Sequence, residues 1–236
     1  MQRPDQTVST VLVVDDEDDI LELLTYNLQR AAIKTLTARN GVEAISIARH
    51  HPVDLIILDF LMPRMDGLET CRRIRQDSHL RYIPILFFTV RSGEEDHIRG
   101  LDSGADSYLP KTSSMGVIIS QVRALIRGVG RQDTAPAKLA VHDLEIDRGR
   151  FVVFRKKGDE RIELRFPRKE FELLHFLASS PGRVYGRQDL LDRVWGSDVY
   201  ITERTVDVHV RKIREKLGSK YIETVTGVGY RFADQA

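Results

Sequence analysis

The chain has 236 residues, 42% of them hydrophobic and 30% charged, which is typical of a globular protein and excludes a disordered or fibrous one. This length is sufficient for two domains, each with its own core. No apolar run approaches about 18 residues and the N-terminal MQRPDQTVST lacks an apolar segment, so we expect neither a membrane span nor a secretory signal. The single cysteine, Cys71, excludes an internal disulfide framework and is typical of a cytoplasmic protein.

Charge is distributed unevenly along the chain, although the formal net charge is only +1. Residues 1–127 hold 15 Lys or Arg against 18 Asp or Glu, whereas residues 128–236 hold 21 against 17. The segment GVGRQDTAPA (residues 128–137) has neither helical nor strand periodicity and is typical of a flexible linker. We therefore predict a mildly acidic domain over residues 1–127 and a mildly basic one over residues 138–236. The basic excess is too small to establish a nucleic-acid partner by itself.

Short apolar segments alternate with segments of helical spacing in the first domain. This alternation favours a parallel sheet with helices on both faces, a doubly wound α/β fold. Such a domain binds its ligand at the carboxyl ends of the strands. The five predicted strands are VLVV (11–14), TLTA (35–38), LIIL (55–58), ILFFTV (85–90) and SYLP (107–110).

Charged and hydroxyl side chains stand where these strands end. Asp15 and Asp16 follow the first strand, Asp59 the third, and Thr89 and Lys111 mark the ends of the fourth and fifth. Because strands one and three are neighbours in such a fold, three carboxylates converge and would raise one another's pKa values. A hard cation relieves the repulsion, and Mg²⁺ favours a few carboxylates together with water and phosphate oxygens. The sequence therefore predicts a magnesium site at this edge.

The acidic run also has a simpler interpretation. All five carboxylates from Asp15 to Asp19 could start a helix, where negative charge opposes the macrodipole and contributes about 0.3–1 kcal/mol per residue. That interpretation is sufficient for Glu17 to Asp19. It does not account for Asp59 and Lys111 at other strand ends, so we favour the metal site for the first two acids.

Four motifs resemble the receiver domain of two-component response regulators over residues 10–127, namely VLVVDDE, LIILDFLMPRMDG, LFFT and GADSYLPK. The resemblance implies a flavodoxin/CheY-like sheet with five parallel strands in the order 2-1-3-4-5. It implies that Asp59 accepts a phosphoryl group from a sensor histidine kinase. Asp16, Asp59 and the backbone carbonyl of Leu61 would bind Mg²⁺ directly, and Asp15 would do so through water.

The resemblance also assigns the remaining strand-end residues. Lys111 and Mg²⁺ would neutralise phosphoryl oxygens and the Thr89 hydroxyl would donate to one of them, which suits a loose transition state governed by positioning and charge. Tyr108 would turn inward when Thr89 moves toward the phosphate. Two residues depart from the family pattern: Val90 is bulkier than the usual Ala or Gly, and Thr112 replaces the usual Pro.

The face formed by the fourth helix, fifth strand and fifth helix lacks the charge pairs that relatives use to dimerise on activation. An apolar patch of Ile98, Leu101 and Val117 could replace those pairs. The matching positions are His97 with Val117, Ser107 with Gln121, and Asp106 with Gly128.

The second domain combines strands, helices and a terminal hairpin. Residues 144–166 alternate polar and apolar residues and predict an antiparallel meander. Helices are predicted from Pro167 to a stop at Pro181, over residues 186–194 and over residues 202–217. The segment TVTGVGYRF (224–232) then predicts a hairpin, which gives a winged helix-turn-helix, an α+β fold.

The third predicted helix carries basic residues on the face opposite its apolar stripe. A charged face is usually only a solvated one, but this helix precedes the hairpin and its cations can reach phosphates and guanine edges in a major groove. FELLHFL, GRVYGRQDLLDRVWG, RTVDVHVRKIREKL and VGYRF resemble the OmpR/PhoB-type output domain over residues 138–233. The DNA-binding residues that the resemblance implies are Arg204, His209, Arg211 and Arg214 at phosphates, Thr205, Asp207 and Lys212 near base edges, Trp195 in the preceding turn, and Arg231 on the hairpin.

Two output-domain positions depart from the family pattern. Pro167 occupies the usual Thr cap of the first helix, so the capping box with Glu170 is lost. Thr226 stands where some relatives place an arginine on the hairpin, so hairpin readout should be weaker here.

We therefore predict a cytoplasmic response regulator whose binding to double-stranded DNA is controlled by phosphorylation of Asp59, with RNA polymerase as a further partner and a homodimer on activation. It would be no enzyme beyond its own Mg²⁺-dependent phosphorylation and dephosphorylation. One alternative is a haloacid-dehalogenase-like phosphatase, which needs an acid at the position of Leu61. Another is a constitutive DNA-binding protein whose receiver no longer switches.

Overall fold

The computed structural model describes residues 8–90, 93–127, 138–196 and 202–234. The chain divides into two compact units, Met1–Val129 and Gly130–Ala236. The predicted linker, residues 128–137, lies outside the described residues. Among the helices of the described part, none combines the length and the apolar character that crossing a bilayer requires.

The first unit alternates strands and helices, as its sequence predicts. The elements are β1 (Thr10–Val14), α1 (Asp18–Arg30), β2 (Lys34–Ala38), α2 (Gly41–His50), β3 (Leu55–Leu58), α3 (Gly67–Gln76), β4 (Ile85–Thr89), α4 (Glu94–Asp102), β5 (Ser107–Pro110) and α5 (Met115–Arg127).

The five strands form one parallel sheet in the order β2-β1-β3-β4-β5, which confirms the predicted topology. Every residue of β1, β3 and β4 is buried, because helices cover both faces of the sheet. The edge strand β2 is mostly exposed or half-buried. The carboxyl ends of the strands meet at one edge, where the predicted site residues stand.

The sheet separates two apolar layers. One layer contains side chains of α2 and α3, and the other contains side chains of α1 and α5. Successive residues of β4 point into opposite layers, so Phe87 belongs to the first layer and its neighbour Phe88 to the second.

The described residues of the second unit, 138–196 and 202–234, form two antiparallel sheets and three helices, in agreement with the predicted winged helix-turn-helix. The strands β6 and β10 were not predicted, since β6 lies before the predicted meander and β10 has only two residues. The elements are β6 (Lys138–Val141), β7 (Leu144–Asp147), β8 (Val152–Lys157), β9 (Glu160–Leu164), α6 (Arg168–Ala178), β10 (Tyr185–Gly186), α7 (Arg187–Val194), α8 (Arg204–Leu217), β11 (Ile222–Val225) and β12 (Gly229–Phe232).

The sheets are ordered β6-β7-β8-β9 and β10-β12-β11. The three helices pack on one another, and β11 and β12 form the terminal hairpin. The recognition helix of this fold class is α8, and its apolar stripe of Val206, Val210, Ile213 and Leu217 is buried as its spacing predicts.

The first turn of α6 has no capping side chain, and its charged residues form buried ion pairs instead. Pro167 makes no capping bond, and Glu170 does not form a capping box. Glu170 is buried and accepts instead from Lys216 Nζ of α8 at 2.8 Å. Lys169 is buried as well, and its Nζ donates to Val194 O at 2.6 Å and to Glu172 at 2.8 Å. These charges tolerate burial because each has a hydrogen-bonded partner.

A buried arginine ties α3 to the start of β5. Arg75 donates to Asp106 Oδ2 at 2.8 Å and to the backbone carbonyls of Gly104, Arg81 and Ile83. The same Asp106 oxygen accepts from the Ile85 amide at 2.8 Å, and the Arg75 and Asp106 side chains are only 8% and 1% exposed. Removing the arginine would leave a buried carboxylate without its cation.

We expect Arg75→Met to destabilise the first unit by about 3–5 kcal/mol, because breaking a buried pair leaves an uncompensated charge. Arg72→Met is the matched control on the same helix. Arg72 is exposed and lies 3.7 Å from Glu69, so its removal should cost under about 0.5 kcal/mol.

The measurement is urea unfolding followed by far-ultraviolet circular dichroism. The fluorescence of the single tryptophan, Trp195, reports the second unit and should show an unchanged transition. Equal midpoints for Arg75→Met and Arg72→Met would contradict the assignment of Arg75.

Candidate functional site

The first candidate site is an acidic rim at the carboxyl ends of β1 and β3. Asp15 and Asp16 follow β1 and Asp59 follows β3, and one carboxylate oxygen of each lies within 4.8 Å of the others. Asp15 and Asp59 are buried and Asp16 is exposed. The structure therefore brings together the three predicted carboxylates, as the adjacency of β1 and β3 requires.

Backbone amides fix the two buried carboxylates. The Glu17 amide donates to Asp15 Oδ1 at 3.0 Å, and the Phe60 amide donates to Asp59 Oδ1 at 2.7 Å. Each aspartate thus has one oxygen held by the backbone, and its other oxygen faces the site.

Lys111 supplies the positive charge of the rim. Its Nζ lies 2.8 Å from Asp15 Oδ2, 2.8 Å from Glu17 Oε1 and 3.4 Å from Asp59 Oδ2. The Lys111 amide donates to Thr89 O at 2.8 Å, so the loop holds the lysine in place although Thr112 follows it. Burial lowers the pKa of Lys111, but the bonds to Asp15 and Glu17 outweigh it and raise that pKa above its usual range.

The ionised forms of the two buried carboxylates remain unfavourable despite Lys111, because the pKa of each is raised. Burial, followed by the charge of Asp15, raises the pKa of Asp59 to about 6. Burial also raises the pKa of Asp15, against the lowering effect of Lys111. One lysine therefore does not neutralise the cluster. The three carboxylates each offer one oxygen within 4.8 Å of the others, a donor set that suits a hard divalent cation, so the residues present fit a metal ion.

The other predicted residues of this site surround the rim. Thr89 is fully buried at the end of β4, and Tyr108 is buried within β5. Leu61, two residues after Asp59, keeps half of its side chain exposed, and Val90 is 68% exposed. The inward placement of Tyr108 is already present in this structure.

The structure contradicts the predicted apolar patch on the face of α4 and α5. Leu101 is only 2% exposed because it packs inward, so it offers no surface to a second protomer. Ile98 and Val117 are half-buried. The side chain of His97, and Gly128, lie outside the described residues.

The polar positions of the same face are paired within one protomer. Gln121 Nε2 donates to Ser107 Oγ at 2.6 Å, and both side chains are fully buried. Asp106 is held by Arg75. Ser107, Gln121 and Asp106 therefore form bonds within one chain, at positions where relatives are expected to form charge pairs between two protomers.

The second candidate site is the exposed side of α8. Arg204 and Arg211 are exposed there, and Lys212 and Arg214 are half-buried. Arg231 stands on β12 opposite Glu223, to which it donates at 2.7 Å.

Three of the predicted DNA-contact residues lie in the core instead. Thr205, His209 and Trp195 are 0%, 3% and 2% exposed. His209 packs edge-on against Trp195, with ring centroids 4.9 Å apart, and its Nδ1 lies 2.8 Å from Thr205 O. Burial lowers the pKa of His209 to about 4, so it is neutral at pH 7. The expectation that these three side chains reach DNA is therefore wrong. They pack in the core beneath α8 and support the helix.

Asp207 and Arg214 join the recognition helix to its neighbours. Asp207 Oδ1 accepts from Arg187 Nε of α7 and from the Tyr230 hydroxyl of β12, both at 2.7 Å. Arg214 donates to Ile222 O and to Thr224 Oγ1 of β11. Asp207 therefore fixes α8 against α7 and the hairpin, a role that no pattern in the sequence indicates.

Comparison with known proteins identifies the family. A model described as "Response regulator receiver domain" matches residues 11–123, and one described as "Transcriptional regulatory protein, C terminal" matches residues 160–232. The phosphate regulon transcriptional regulatory protein PhoB of Rhizobium meliloti (strain 1021) is 40% identical over 224 residues, covering 93% of this chain and 96% of the relative. The chain belongs to the OmpR/PhoB family of response regulators.

Solved structures agree with this assignment. A RitR mutant is similar with a TM-score of 0.74 and 27% identity, covering 96% of this chain and 99% of that one. The response regulator DrrB, described as a Thermotoga maritima OmpR/PhoB homolog, is similar with a TM-score of 0.50 and 30% identity, covering 96% and 100%. The family consists of transcription factors, not normally classed as enzymes, which favours a regulator over the phosphatase alternative.

Both candidate sites of the response regulator contain contacts that its sequence does not indicate. The acidic run places Glu17 only at the start of α1, yet Glu17 contacts Lys111. No sequence pattern points to Arg187 or Tyr230, yet both donate to Asp207. A partner separated by 94 or 20 residues leaves no periodic signal in a single sequence.

We expect Asp59→Asn to stabilise the metal-free regulator at pH 7 by about 1–3 kcal/mol, because it removes a buried carboxylate whose pKa is raised to about 6. Between pH 4 and about 6 the folded state binds more protons at Asp59 than the unfolded state does, so the parent loses stability as pH rises. The advantage of the variant should therefore be small at pH 4 and grow toward pH 7.

Chemical unfolding in a chelator, followed across this pH range, measures the difference. Asp77→Asn is the control of opposite sign. The His79 amide and Arg49 lower the pKa of Asp77, so this variant should lose stability, most clearly above pH 4. A parent more stable than Asp59→Asn at pH 7 without metal would refute the electrostatic account.

Proposed function

We propose that Asp59 is the phosphoacceptor of this response regulator and that its phosphorylation by a sensor histidine kinase controls binding of α8 to DNA. The observation that carries the proposal is the geometry of the acidic rim. Asp59 lies at the end of β3 with one oxygen held by the Phe60 amide and the other 3.4 Å from Lys111 Nζ.

The Asp59 carboxylate is suited to nucleophilic attack on a phosphohistidine. Lys111 and a bound cation would favour its ionised form. Its Oδ2 would attack phosphorus while the Phe60 amide fixes Oδ1, and the phosphorus–nitrogen bond of the phosphohistidine would break so that the kinase histidine leaves as a neutral imidazole. The reaction needs little proton transfer, because a carboxylate at pH 7 is already deprotonated. The resulting acyl phosphate is labile, so the regulator resets by hydrolysis.

The bound cation would be Mg²⁺, held by Asp16, Asp59 and the backbone carbonyl of Leu61, with Asp15 reached through water. When bound, Mg²⁺ would neutralise the charge that develops on the phosphoryl oxygens. Besides the cation, the side chain of Lys111 would neutralise phosphoryl charge by changing its hydrogen-bond partners. Its ammonium now contacts Asp15 and Glu17, and it would turn to a phosphoryl oxygen once Asp59 is modified.

Thr89 and Tyr108 would transmit the modification. The Thr89 hydroxyl would donate to a phosphoryl oxygen, which draws the end of β4 toward Asp59. Tyr108 is already buried beside β4, and its inward position is the one expected in the activated state.

The output domain would bind double-stranded DNA with α8 in the major groove. Arg204 and Arg211 would contact phosphates and Lys212 would approach base edges, whereas Arg214 and Asp207 would hold the hairpin and α7 in place. Arg231, paired with Glu223 on the hairpin, would lie near the DNA backbone. A protein acting on chromosomal DNA would reside in the cytoplasm.

Homodimerisation on activation and contact with RNA polymerase stay predictions from the family. The internal Ser107–Gln121 and Asp106–Arg75 contacts give no support to a charge-paired receiver dimer. We propose that any pairing of protomers occurs on directly repeated DNA half-sites.

The regulator should bind DNA about 5–150-fold more tightly with Mg²⁺ and a phosphodonor than without, as allosteric coupling of about 1–3 kcal/mol gives. Asp59→Asn should abolish this gain while keeping the affinity of the unmodified parent. The probe is a duplex that the full chain selects from a random-sequence pool, and the readout is its Kd at fixed salt. A parent whose Kd does not respond to phosphorylation would favour the constitutive DNA-binding protein instead.

Arg211→Ala and Lys212→Ala should differ in kind. The Arg211 variant should weaken all sequences uniformly and reduce the salt slope by about 1, since it would remove one phosphate contact. The Lys212 variant should relax preference at one or two base positions, at a cost of about 1–3 kcal/mol for the preferred site. Competition binding against a library of single-base variants distinguishes them, and identical uniform losses from both would disprove the division of roles.

A further inference from the structure

Three buried aromatic rings connect the phosphoacceptor loop to β5. The Phe60 amide donates to Asp59, and the Phe60 ring lies 5.2 Å from the Phe87 ring at an interplanar angle of 52°. Phe87 in turn lies 6.5 Å from Tyr108, also at 52°. Both separations fall within the range of tilted aromatic contacts. The path from Asp59 to Tyr108 therefore runs through Phe87.

The Phe87 ring fits against two glycines, which have no side chain to occupy its space. A Cβ atom at Gly67, the first residue of α3, would lie 3.0 Å from Phe87 Cε1. A Cβ atom at Gly100, within α4, would lie 3.1 Å from Phe87 Cδ2 and 3.4 Å from Tyr108 Cδ2. Phe87 is thus in close contact with the start of α3 and with α4, and it has little room to move independently of them.

The position of Phe87 on β4 suits a coupling role. Alternation along a strand puts Phe87 on the same face as Thr89, two residues later. Phe87 also pairs directly with Tyr108 across the β4–β5 ladder. A shift of the end of β4 toward Asp59 would therefore move Phe87 against both Tyr108 and α4, because a close-packed core transmits displacement.

We propose that Phe87 is a positioning residue that couples the modification of Asp59 to the position of α4, through its contacts with Tyr108 and with α4 at Gly100. This inference rests on the proposed function, since it concerns how the same site reaches its output. Phe87 touches no reacting atom, so its removal should separate two measurements that a loss of folding would lower together: phosphoryl uptake and the gain in DNA affinity.

The test is Phe87→Leu in the full chain, with Phe88→Leu as the matched control. Phe88 is the next residue of the same strand and equally buried, but it faces the layer of α1 and α5. The readouts are phosphorylation by acetyl phosphate with Mg²⁺, and the Kd for the selected duplex with and without beryllofluoride.

Phe87→Leu should take up phosphoryl groups like the parent, while its gain in DNA affinity falls by about 3- to 10-fold. Phe88→Leu should keep the gain of the parent. An unchanged gain in Phe87→Leu, or an equal loss in Phe88→Leu, would overturn the assignment.

A second pair of variants approaches the same contact from α4. Gly100→Ala places a methyl group against Phe87 and Tyr108, whereas Gly116→Ala on α5 meets no atom within 4 Å. Gly100→Ala should reduce the gain and Gly116→Ala should not, and this pair decides the matter should Phe87→Leu fail to fold. Equal gains in both glycine variants would count against the coupling.

The outcomes separate this inference from the proposed function. If the parent gains no DNA affinity on activation, both the proposed function and the role of Phe87 are wrong. A parent that gains affinity, together with Phe87→Leu and Gly100→Ala variants that gain as much, removes only the role of Phe87.

Discussion

The response regulator depends on the balance of charge around Asp59. Its carboxylate is buried beside that of Asp15, and burial and repulsion together raise its pKa to about 6. Lys111, within 3.4 Å of Asp59, offsets only part of this cost. Added positive charge would stabilise such a site, and a phosphoryl group on Asp59 would change the net charge of the site. The incomplete neutralisation of the rim is therefore the property on which the proposed phosphorylation of Asp59 would act.

Elsewhere in the chain, buried carboxylates are neutralised by a cation and hold structural elements in place. Arg75 with Asp106 and Lys216 with Glu170 are ion pairs in which a buried carboxylate has its cation and further hydrogen bonds within reach. Such pairs are costly to break and contribute little net stability, but they fix the relative placement of the elements that they join. The paired carboxylates hold the scaffold, whereas the rim keeps a charge imbalance at which the proposed modification would take place.

The recognition helix shows how packing divides a basic segment between support and binding. His209 and Thr205 are buried and Asp207 is engaged by Arg187 and Tyr230, so these residues orient α8. Arg204 and Arg211 remain exposed on the other side. DNA affinity in this domain should therefore come from fewer cations than the sequence contains.

The sequence by itself determined the order of strands and helices in the first unit, the doubly wound sheet, and the convergence of Asp15, Asp16, Asp59 and Lys111, because apolar periodicity and strand-end chemistry are local signals. Only the tertiary structure decided which helical residues face solvent and which contacts link distant segments. Thus His209 is a core residue and Lys111 bonds to Glu17, 94 residues away. The physical reason is that burial depends on what packs opposite a side chain, and one-dimensional spacing does not specify that partner.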